Sequence, residues 1–409
     1  MAPARFFNSP PWRWVVTELD GTVVTFLDHL AMDRIITYRL NDSALAECRV
    51  PSDNPEVNIL QSVGTMGSEP FVSEGDKLLF CFRRENPTSD PVTWVVRFAG
   101  ILMQIEDEAA SDERSVAYSH LTAFDPWEYM NHRPVRSLSS STDTGLPGED
   151  GLSFTATDAG VIAATLLRNT IVEDGDAFID AGATYAGTGF YTGTIEPTVA
   201  IDINFQQGCS VGEAWSQLVE LDVLDIVLTP IWDPINRPGY CVQMNIYPQA
   251  GEAQDEAIFA WDEPSHSLVG ITRLQDGAQR SNVVFYRAGM GGVAGAAAIQ
   301  EDMTSISRYR EYWRQQFYPK QSIVSAVEAL AQSQLQLTKN GKETVTISPA
   351  PERAPLVFQE YFLGDRVPVY ASSNLREALA GYQRIYGIPL MISDDGVEEV
   401  RQMLTSAQP

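Results

Sequence analysis

Residues able to carry acid–base or metal chemistry are few and widely separated in this sequence. The four histidines are His29, His120, His132 and His266. No two of them have the i, i+4 spacing of a helical metal site, and none lies in an HExxH pattern or beside a CxxC pair. We therefore expect structural histidines, and we identify no catalytic, cofactor-binding or metal-ligating residues from the sequence.

Two further segments imitate ligand sites but lack a necessary part. Residues 289–295, GMGGVAG, follow a predicted strand as a dinucleotide fingerprint does, but no acidic residue ends a second strand about twenty residues later. We predict a glycine loop there. Residues 173–180 offer carboxylates for calcium but depart from the EF-hand order, which predicts a solvated acidic loop. No cofactor is expected.

One alternative function rests on aromatic and acidic residues in the middle of the chain. Trp215, Trp232, Asp233 and Trp261 would form an acidic, aromatic cleft if they came together. Aromatic faces stack on sugars and carboxylates act as acid and base, so such a cleft would bind or cut a cell-wall polysaccharide. The competing interpretation, which we favour, is that these tryptophans are packed in a core.

Composition and charge exclude several classes of protein. The 409 residues are 44% hydrophobic and 20% charged, which is typical of a packed globular protein. The formal net charge is −26, and residues 137–265 contribute −18 of it, with two basic and 20 acidic residues. A chain with this charge is repelled by nucleic acids and anionic lipids, so nucleic-acid binding is disfavoured.

Cysteine usage and hydropathy indicate a soluble protein made in the cytosol. Cys48, Cys81, Cys209 and Cys241 are far apart, which predicts four reduced, buried thiols rather than a disulfide framework. The sequence starts without the apolar stretch of a secretory signal, and no window of about 18 apolar residues predicts a membrane span. We expect no membrane insertion.

The pattern of predicted elements divides the chain into three regions. Residues 1–136 contain short antiparallel strand candidates separated by turn residues, as in a small barrel or sandwich. Residues 137–265 begin with a linker rich in Ser, Thr, Gly and Pro and continue as an acidic mixed α/β module. Residues 266–409 return to strands, including a β interpretation of 305–317, with one helix at 322–333. The predicted fold class is a β-rich α+β protein.

Helical periodicity is clearest in the middle region. It starts after Asp158, which is expected to cap a helix with Ile162 and Leu166 on its buried face. A second helix is predicted at 211–221, with Trp215 on its apolar stripe. These two helices are the main evidence that the middle region differs in kind from its neighbours.

A short echo links the two ends of the sequence. Residues 74–80, EGDKLLF, and residues 363–369, LGDRVPV, each place a Gly-Asp turn before one cation and an apolar strand. The echo suggests two related β-modules that flank the acidic one.

Three stretches carry a resemblance to a known family. The strand at 94–106, with Gly100 as an expected bulge, is followed by VAYSHLTAFDPWEYMNHRPV at 116–135. Later come SRYREYWRQQF at 307–317 and YFLGDRVPVY at 361–370. In this order and at these spacings the chain resembles the tail-hub, or minor tail, proteins of long-tailed siphovirus phages, especially those of actinobacterial hosts. These proteins are similar to the trimeric baseplate hub of contractile phages.

The resemblance implies an architecture and a place in the virion. It implies two tube-like antiparallel β-barrels flanking the acidic α/β module, and a homotrimer whose six barrels form a pseudo-hexameric ring. The ring would contact the distal tail protein or tail tube above and tip, fibre or receptor-binding proteins below. It implies no enzymatic activity. Because the sequence ends soon after the second predicted barrel, we expect any receptor-binding or cell-wall-cleaving extension to lie on another chain.

Charge adds an expectation about the channel of such a ring. Genome DNA must slide through the tail tip during ejection without specific binding, and carboxylates in the lumen would prevent phosphate contacts by repulsion. The alternative is that the surplus acid only keeps the free chain soluble in the host cytoplasm, where it is synthesised. The sequence leaves both open.

Overall fold

The structure is a computed structural model, and it describes most of the chain. The described residues are 12–18, 23–27, 31–51, 77–85, 94–108, 118–136, 151–174, 189–205, 208–232, 240–262, 266–288, 297–318, 324–372, 375 and 378–407. Outside them lie residues 137–150 of the linker predicted at 137–151, the glycine loop at 289–295 and residues 175–180 of the acidic loop. So does the first Gly-Asp turn of the echo, at residues 75–76.

Strands occur in all three regions, and the longer helices lie in the middle and last regions. The first region contains β1 (Trp12–Glu18), β2 (Val23–Phe26), β3 (Met32–Arg39), β4 (Leu45–Pro51), β5 (Lys77–Arg84), β6 (Trp94–Glu108), β7 (Tyr118–Phe124) and α1 (Pro126–Asn131). The middle region contains β8 (Leu152–Asp158), α2 (Ala159–Asp174), β9 (Gly189–Ile195), β10 (Ala200–Phe205), α3 (Val211–Glu220), β11 (Asp225–Trp232), β12 (Tyr240–Tyr247) and β13 (Phe259–Ala260). The last region contains β14 (Leu268–Asp276), a 3₁₀ turn (Gly277–Gln279), β15 (Val283–Ala288), β16 (Ala297–Glu301), α4 (Met303–Tyr309), β17 (Trp313–Tyr318), α5 (Val324–Thr338), β18 (Lys342–Pro349), β19 (Arg366–Ala371), β20 (Leu379–Ile392), β21 (Glu398–Val400) and β22 (Met403–Ala407).

Strands of the first and last regions form one large sheet, which β13 of the middle region joins. Its main path runs β14-β18-β22-β20-β3-β4-β7-β6-β5-β1-β2, and β13, β19 and β21 are attached off this path. The two regions meet where β20 pairs antiparallel with β3, from Gly387 opposite Arg39 to Ile392 opposite Arg34. β20 reaches β3 because its 14 residues extend past the stretch that pairs with β19.

The β-rich α+β class is confirmed, but two separate closed barrels are not observed. Among the described strands no sheet closes into a barrel, and β2 and β14 stand at the two ends of the open path. The physical reason is the β3–β20 pairing, since a strand that hydrogen-bonds to the other region cannot also close its own region.

The large sheet separates two hydrophobic cores, as β5 shows most directly. Alternate side chains of a strand point to opposite faces of a sheet. Leu78 and Phe80 are buried in a first core, which also holds residues of all the helices except α4. Leu79 and Cys81 are buried in a second core, built mainly by strands of the large sheet. Burial on both faces explains why β5 is an almost unbroken apolar run.

α2 forms as its local sequence predicts. The carboxylate of Asp158 accepts hydrogen bonds from the backbone N–H groups of Gly160 at 2.9 Å and Val161 at 3.1 Å, which caps the helix. Ile162 and Leu166, on the predicted apolar face, are fully buried in the first core.

The β interpretation of residues 305–317 is wrong for its first half. α4 occupies Met303–Tyr309, and β17 begins only after it. The Asp302 carboxylate accepts the backbone N–H of Ser305 at 2.8 Å and starts the helix. This local capping contact outweighs the β propensity of the aromatic residues that follow.

Gly100 does not form a bulge. It pairs in register with Leu79, and the register of β6 shifts on either side of it instead. A Cβ added to Gly100 would lie 2.2 Å from the carbonyl oxygen of Phe124. Glycine is therefore required here by the close approach of β7 rather than by a special backbone conformation.

Candidate functional site: a buried junction of the three regions

Side chains from all three regions meet in one buried place. Asn41 lies in the turn between β3 and β4, Asp225 is the first residue of β11, and Arg384 lies within β20. Asp225 and Arg384 are both buried. We call these three residues, together with Ala250 and Gly364, the three-region junction.

The carboxylate of Asp225 accepts hydrogen bonds from each region. Nδ2 of Asn41 donates to Oδ1 at 2.6 Å, the backbone N–H of Ala250 donates to Oδ2 at 2.7 Å, and Nη2 of Arg384 donates to Oδ2 as well. Asn41 in turn accepts the backbone N–H of Ile226 on its Oδ1 at 2.8 Å. The buried negative charge is therefore compensated by one cation and two neutral donors.

Arg384 also connects two backbone segments. Its Nη2 donates to the carbonyl oxygen of Ala250 at 3.0 Å, and its Nε donates to that of Gly364 at 3.2 Å. Burial acts to lower the pKa of this guanidinium, but the hydrogen bond and the charge of Asp225 outweigh burial, so the pKa of Arg384 is raised. The residue remains a cation inside the protein.

Two glycines let the backbones at the junction approach each other. Gly251 has a φ of +82° and Gly364 a φ of +85°, in the left-handed region that favours glycine. A Cβ on Gly251 would lie 2.1 Å from the carbonyl carbon of Gly364. Next to it, the Asp365 carboxylate accepts the backbone N–H of Glu252 at 2.9 Å. The Gly-Asp turn of LGDRVPV is thus a contact between the middle region and β19.

The junction suits a mechanical role rather than a catalytic one. Asp225 and Arg384 are buried against each other, so neither is available as an acid, a base or a nucleophile. Because the contacts join the β3–β4 turn, β11 and the β19–β20 pair, they hold the middle region in one orientation on the large sheet. The sequence carried no signal for this, since Asn41 and Arg384 are 184 and 159 residues away from Asp225.

A second buried carboxylate, Asp125, caps α1. It accepts hydrogen bonds from the backbone N–H groups of Trp127 and Ala44 and from Oγ of Ser43, each at 3.1 Å. Burial raises the pKa of Asp125 to about 7, although the hydrogen bonds oppose this shift. The group borders a cavity of about 100 Å³. Asp125 is therefore a buried carboxyl group that changes its charge near neutral pH.

We expect the protonation of Asp125 to make the stability of the chain depend on pH. Its pKa is about 7 in the folded chain against 3.8 for a free aspartate, so the folded state binds the proton more tightly and stability falls as the pH rises from about 4 through 7. Asp125→Asn should remove this contribution. From pH 5 to pH 8, the free energy of unfolding should fall by about 2–3 kcal/mol more in the wild type than in the variant, measured by urea unfolding.

Asp302→Asn is the matched control for this measurement. Asp302 also caps a helix, but the backbone hydrogen bond from Ser305 lowers its pKa. The difference in free energy of unfolding between the wild type and Asp302→Asn should therefore change only as the pH falls below about 4. There the wild type loses stability with falling pH, whereas the Asp125 contribution is lost with rising pH. Equal pH dependence of the wild type and Asp125→Asn would contradict the role given to Asp125.

The residues of the alternative carbohydrate cleft do not come together in the described part of the chain. Trp215 is fully buried in the first core, where its ring lies edge-on to Trp127 with 5.3 Å between ring centroids. Trp261 is partly buried and packs against the second core. The side chain of Trp232 and the whole of Asp233 lie outside the described residues. Trp215 is a core residue and offers no face to a sugar.

A serine motif with the spacing of a catalytic nucleophile has a structural role. Residues 208–212, GCSVG, have the G-x-S-x-G spacing, follow β10 and include the first two residues of α3, the strand–turn–helix context of a nucleophile elbow. Ser210 is the N-cap of α3: its Oγ accepts the backbone N–H of Glu213 at 3.0 Å, and its own N–H donates to the Glu213 carboxylate at 3.0 Å. Its φ of −80° is ordinary extended backbone, unlike the strained turn of an elbow.

The described residues hold no metal-ligand cluster. No group of three His, Cys, Asp or Glu side chains among them is placed to bind an ion. Cys48, Cys81 and Cys209 are buried free thiols, as predicted. Within the same residues, no helix has both the length and the apolar character needed to cross a bilayer.

Comparison with solved structures places this fold among phage tail proteins. A tail protein from Neisseria meningitidis MC58 matches with a TM-score of 0.55 and 12% identity over 97% of both chains. The 43 kDa tail protein of prophage MuSo2 from Shewanella oneidensis matches with a TM-score of 0.56 and 12% identity, over 97% of this chain and 98% of that one. Prophage tail protein gp18 from Listeria monocytogenes EGD-e matches with a TM-score of 0.51 and 10% identity, over 97% and 94%.

These similarities concern the fold. The chain therefore has the fold of prophage tail proteins, which agrees with the resemblance given by its sequence. No protein-family profile matches the sequence, and no curated protein matches it either.

Proposed function

We propose that this chain is a structural tail-hub protein at the tail tip of a long-tailed phage. One observation carries the proposal: the fold matches prophage tail proteins over 97% of this chain and over 97% and 98% of two of theirs. A single shared module would match only part of each chain, whereas these matches extend over nearly the whole of both chains. The step from fold to function is an analogy of architecture. An actinobacterial host remains part of the proposal.

In this proposal the chain works as a homotrimer. Each copy contributes two tube-like β units, one from the first-region strands and one from the last-region strands, joined through β3 and β20. Three copies then present six similar units to the sixfold tail tube or distal tail protein, and threefold symmetry to tip, fibre or receptor-binding proteins. The boundaries of the units, near residues 136 and 265, belong to the proposal as well.

The proposed role is structural and requires no catalysis. Part of the surplus acid, −26 over the chain, would face the channel and let genome DNA pass without binding. The three-region junction would keep the middle region fixed on the ring while the genome passes. The alternative of a carbohydrate-binding cleft is weakened, because Trp215 is buried in a core and cannot stack on a sugar.

The purified full-length chain should be a trimer of about 135 kDa, since one chain has a mass of 45.1 kDa. Light scattering after size-exclusion chromatography measures the mass, and negative-stain class averages should show a ring with an open centre. Antibodies against the chain should label the tail tip of intact virions. A chain that stays monomeric at every soluble concentration and is absent from tails would rule out this function.

A further inference from the structure

The small sheet β16-β15-β17 has one buried face. Paired residues of neighbouring strands lie on the same face, and residues alternate between faces along a strand. Val284 and Tyr286 of β15 and Ala298 of β16 are buried in the first core, which also contains residues of α5. This face of the sheet therefore has its partner inside the same chain.

The opposite face of the small sheet is only partly covered by the described residues: Val283 at its start is buried, but the outer strands are exposed. It carries Ile299, which is 49% exposed, and Trp313, which is 52% exposed, with the half-buried Phe285 paired to Ile299. Trp313 is the most exposed tryptophan among those whose side chains the structure describes. An exposed tryptophan and an exposed isoleucine on one face, on the two strands that flank β15, are the kind of residues that protein interfaces use.

Arginines are frequent in the segments next to this face, although Nε1 of Trp313 itself donates to the Glu311 carboxylate at 3.2 Å. Arg280 stacks on the ring of Tyr309 at 3.7 Å, and Arg308 lies 5.0 Å from the same ring. Residues 303–315 contain three arginines and one glutamate, a local charge of +2 in a chain of −26. Glu301, on the same face, is exposed as well. The basic aromatic surface consists of the following residues: Ile299, Met303, Arg308, Arg310, Tyr312 and Trp313.

A surface of complementary character lies on the β19–β20 pair. Tyr370 and Tyr382 are 43% and 48% exposed and lie on one face, because Tyr370 pairs with Ala380, two residues before Tyr382. The Tyr382 hydroxyl donates to Asp255, and the neighbouring Glu256 is exposed. The segment 252–256 carries three carboxylates, and Ala253 within it pairs with Arg366 of β19. The acidic tyrosine surface consists of the following residues: Glu252, Asp255, Glu256, Ile258, Tyr370 and Tyr382.

We propose that the basic aromatic surface of one copy binds the acidic tyrosine surface of the next copy. The proposal rests on the homotrimer of the proposed function and names the contact that builds it. Two chains of charge −26 repel each other in general, so a local positive surface facing a local negative one is where copies can approach. Since the two surfaces differ, the contact is heterologous and can repeat around a closed ring.

Charge exchange in the full-length chain tests this contact. Arg308→Glu would place a carboxylate opposite Glu256 of the next copy, and Glu256→Arg would place a cation opposite Arg308. Each single variant should therefore raise the dissociation constant of the trimer at low salt by about tenfold. The double variant R308E/E256R should return it close to the wild-type value. Trp313→Ala, which removes the apolar centre, should raise it by about thirtyfold or more. Analytical ultracentrifugation over a concentration series measures all four chains.

Arg353→Glu is the matched control, because Arg353 is exposed, carries the same charge and lies in neither surface. It should assemble as the wild type does. If Arg308→Glu and Glu256→Arg trimerise with wild-type affinity, or if the double variant is no better than either single one, the inference is overturned while the trimeric function stands. A wild-type chain that never trimerises overturns the function as well.

Discussion

Arg384→Met is expected to destabilise the chain by about 3–5 kcal/mol. Methionine keeps much of the buried volume of arginine but leaves the Asp225 carboxylate as an uncompensated charge within the three-region junction. It also removes the donors to the carbonyl oxygens of Ala250 and Gly364. The measurement is urea unfolding followed by tryptophan fluorescence, and hydrogen exchange should show faster opening of β11.

Arg39→Met provides a matched control at the surface. Arg39 pairs with Asp42 at 3.2 Å, but their side chains are 44% and 59% exposed, so this substitution should change the free energy of unfolding by less than about 1 kcal/mol. Combining Arg384→Met with Asp225→Asn removes both buried charges and should destabilise by less than the sum of the single effects. If Arg384→Met has no larger effect than Arg39→Met, the junction does not hold the regions together.

Gly251→Ala is expected to destabilise the chain by about 3 kcal/mol or more. A φ of +82° costs an alanine about 1–2 kcal/mol, and the new Cβ would lie 2.1 Å from the carbonyl carbon of Gly364, where only backbone can yield. The contact between the middle region and β19 would have to open. Urea unfolding measures the loss, and light scattering shows whether assembly is lost with it.

Gly208→Ala separates the effect of the positive φ from the effect of the steric clash. Gly208 has a φ of +86°, almost the same as that of Gly251, but a Cβ there would meet no atom within 4 Å. This variant should show only the conformational effect of about 1–2 kcal/mol. Equal destabilisation by the two substitutions would mean that the close approach of Gly251 and Gly364 contributes nothing.

Features with a local cause could be predicted from the sequence alone. The helix predicted at 211–221 is observed as Val211–Glu220, and the helix predicted after Asp158 is observed as Ala159–Asp174. In both helices, the 3.6-residue period of apolar side chains within one segment is sufficient information. The cap of α2 at Asp158 and the β-rich class follow in the same way, and the order of such elements supported the resemblance to tail proteins.

Features that depend on contacts between residues far apart in the sequence could be seen only in the folded structure. Periodicity predicts which face of a strand is buried but not which strand pairs with it. The sequences of β3 and β20 therefore did not predict that these strands pair and join the two expected barrels into one open sheet. The sequence favoured a core position for Trp215, but only the packing of α2 and α1 around it excluded a place in a cleft. The pairing of Asp225 with Arg384 could not be predicted for the same reason. The sequence has 54 acidic residues, and which of them is buried beside an arginine depends on three separate segments that converge and exclude water.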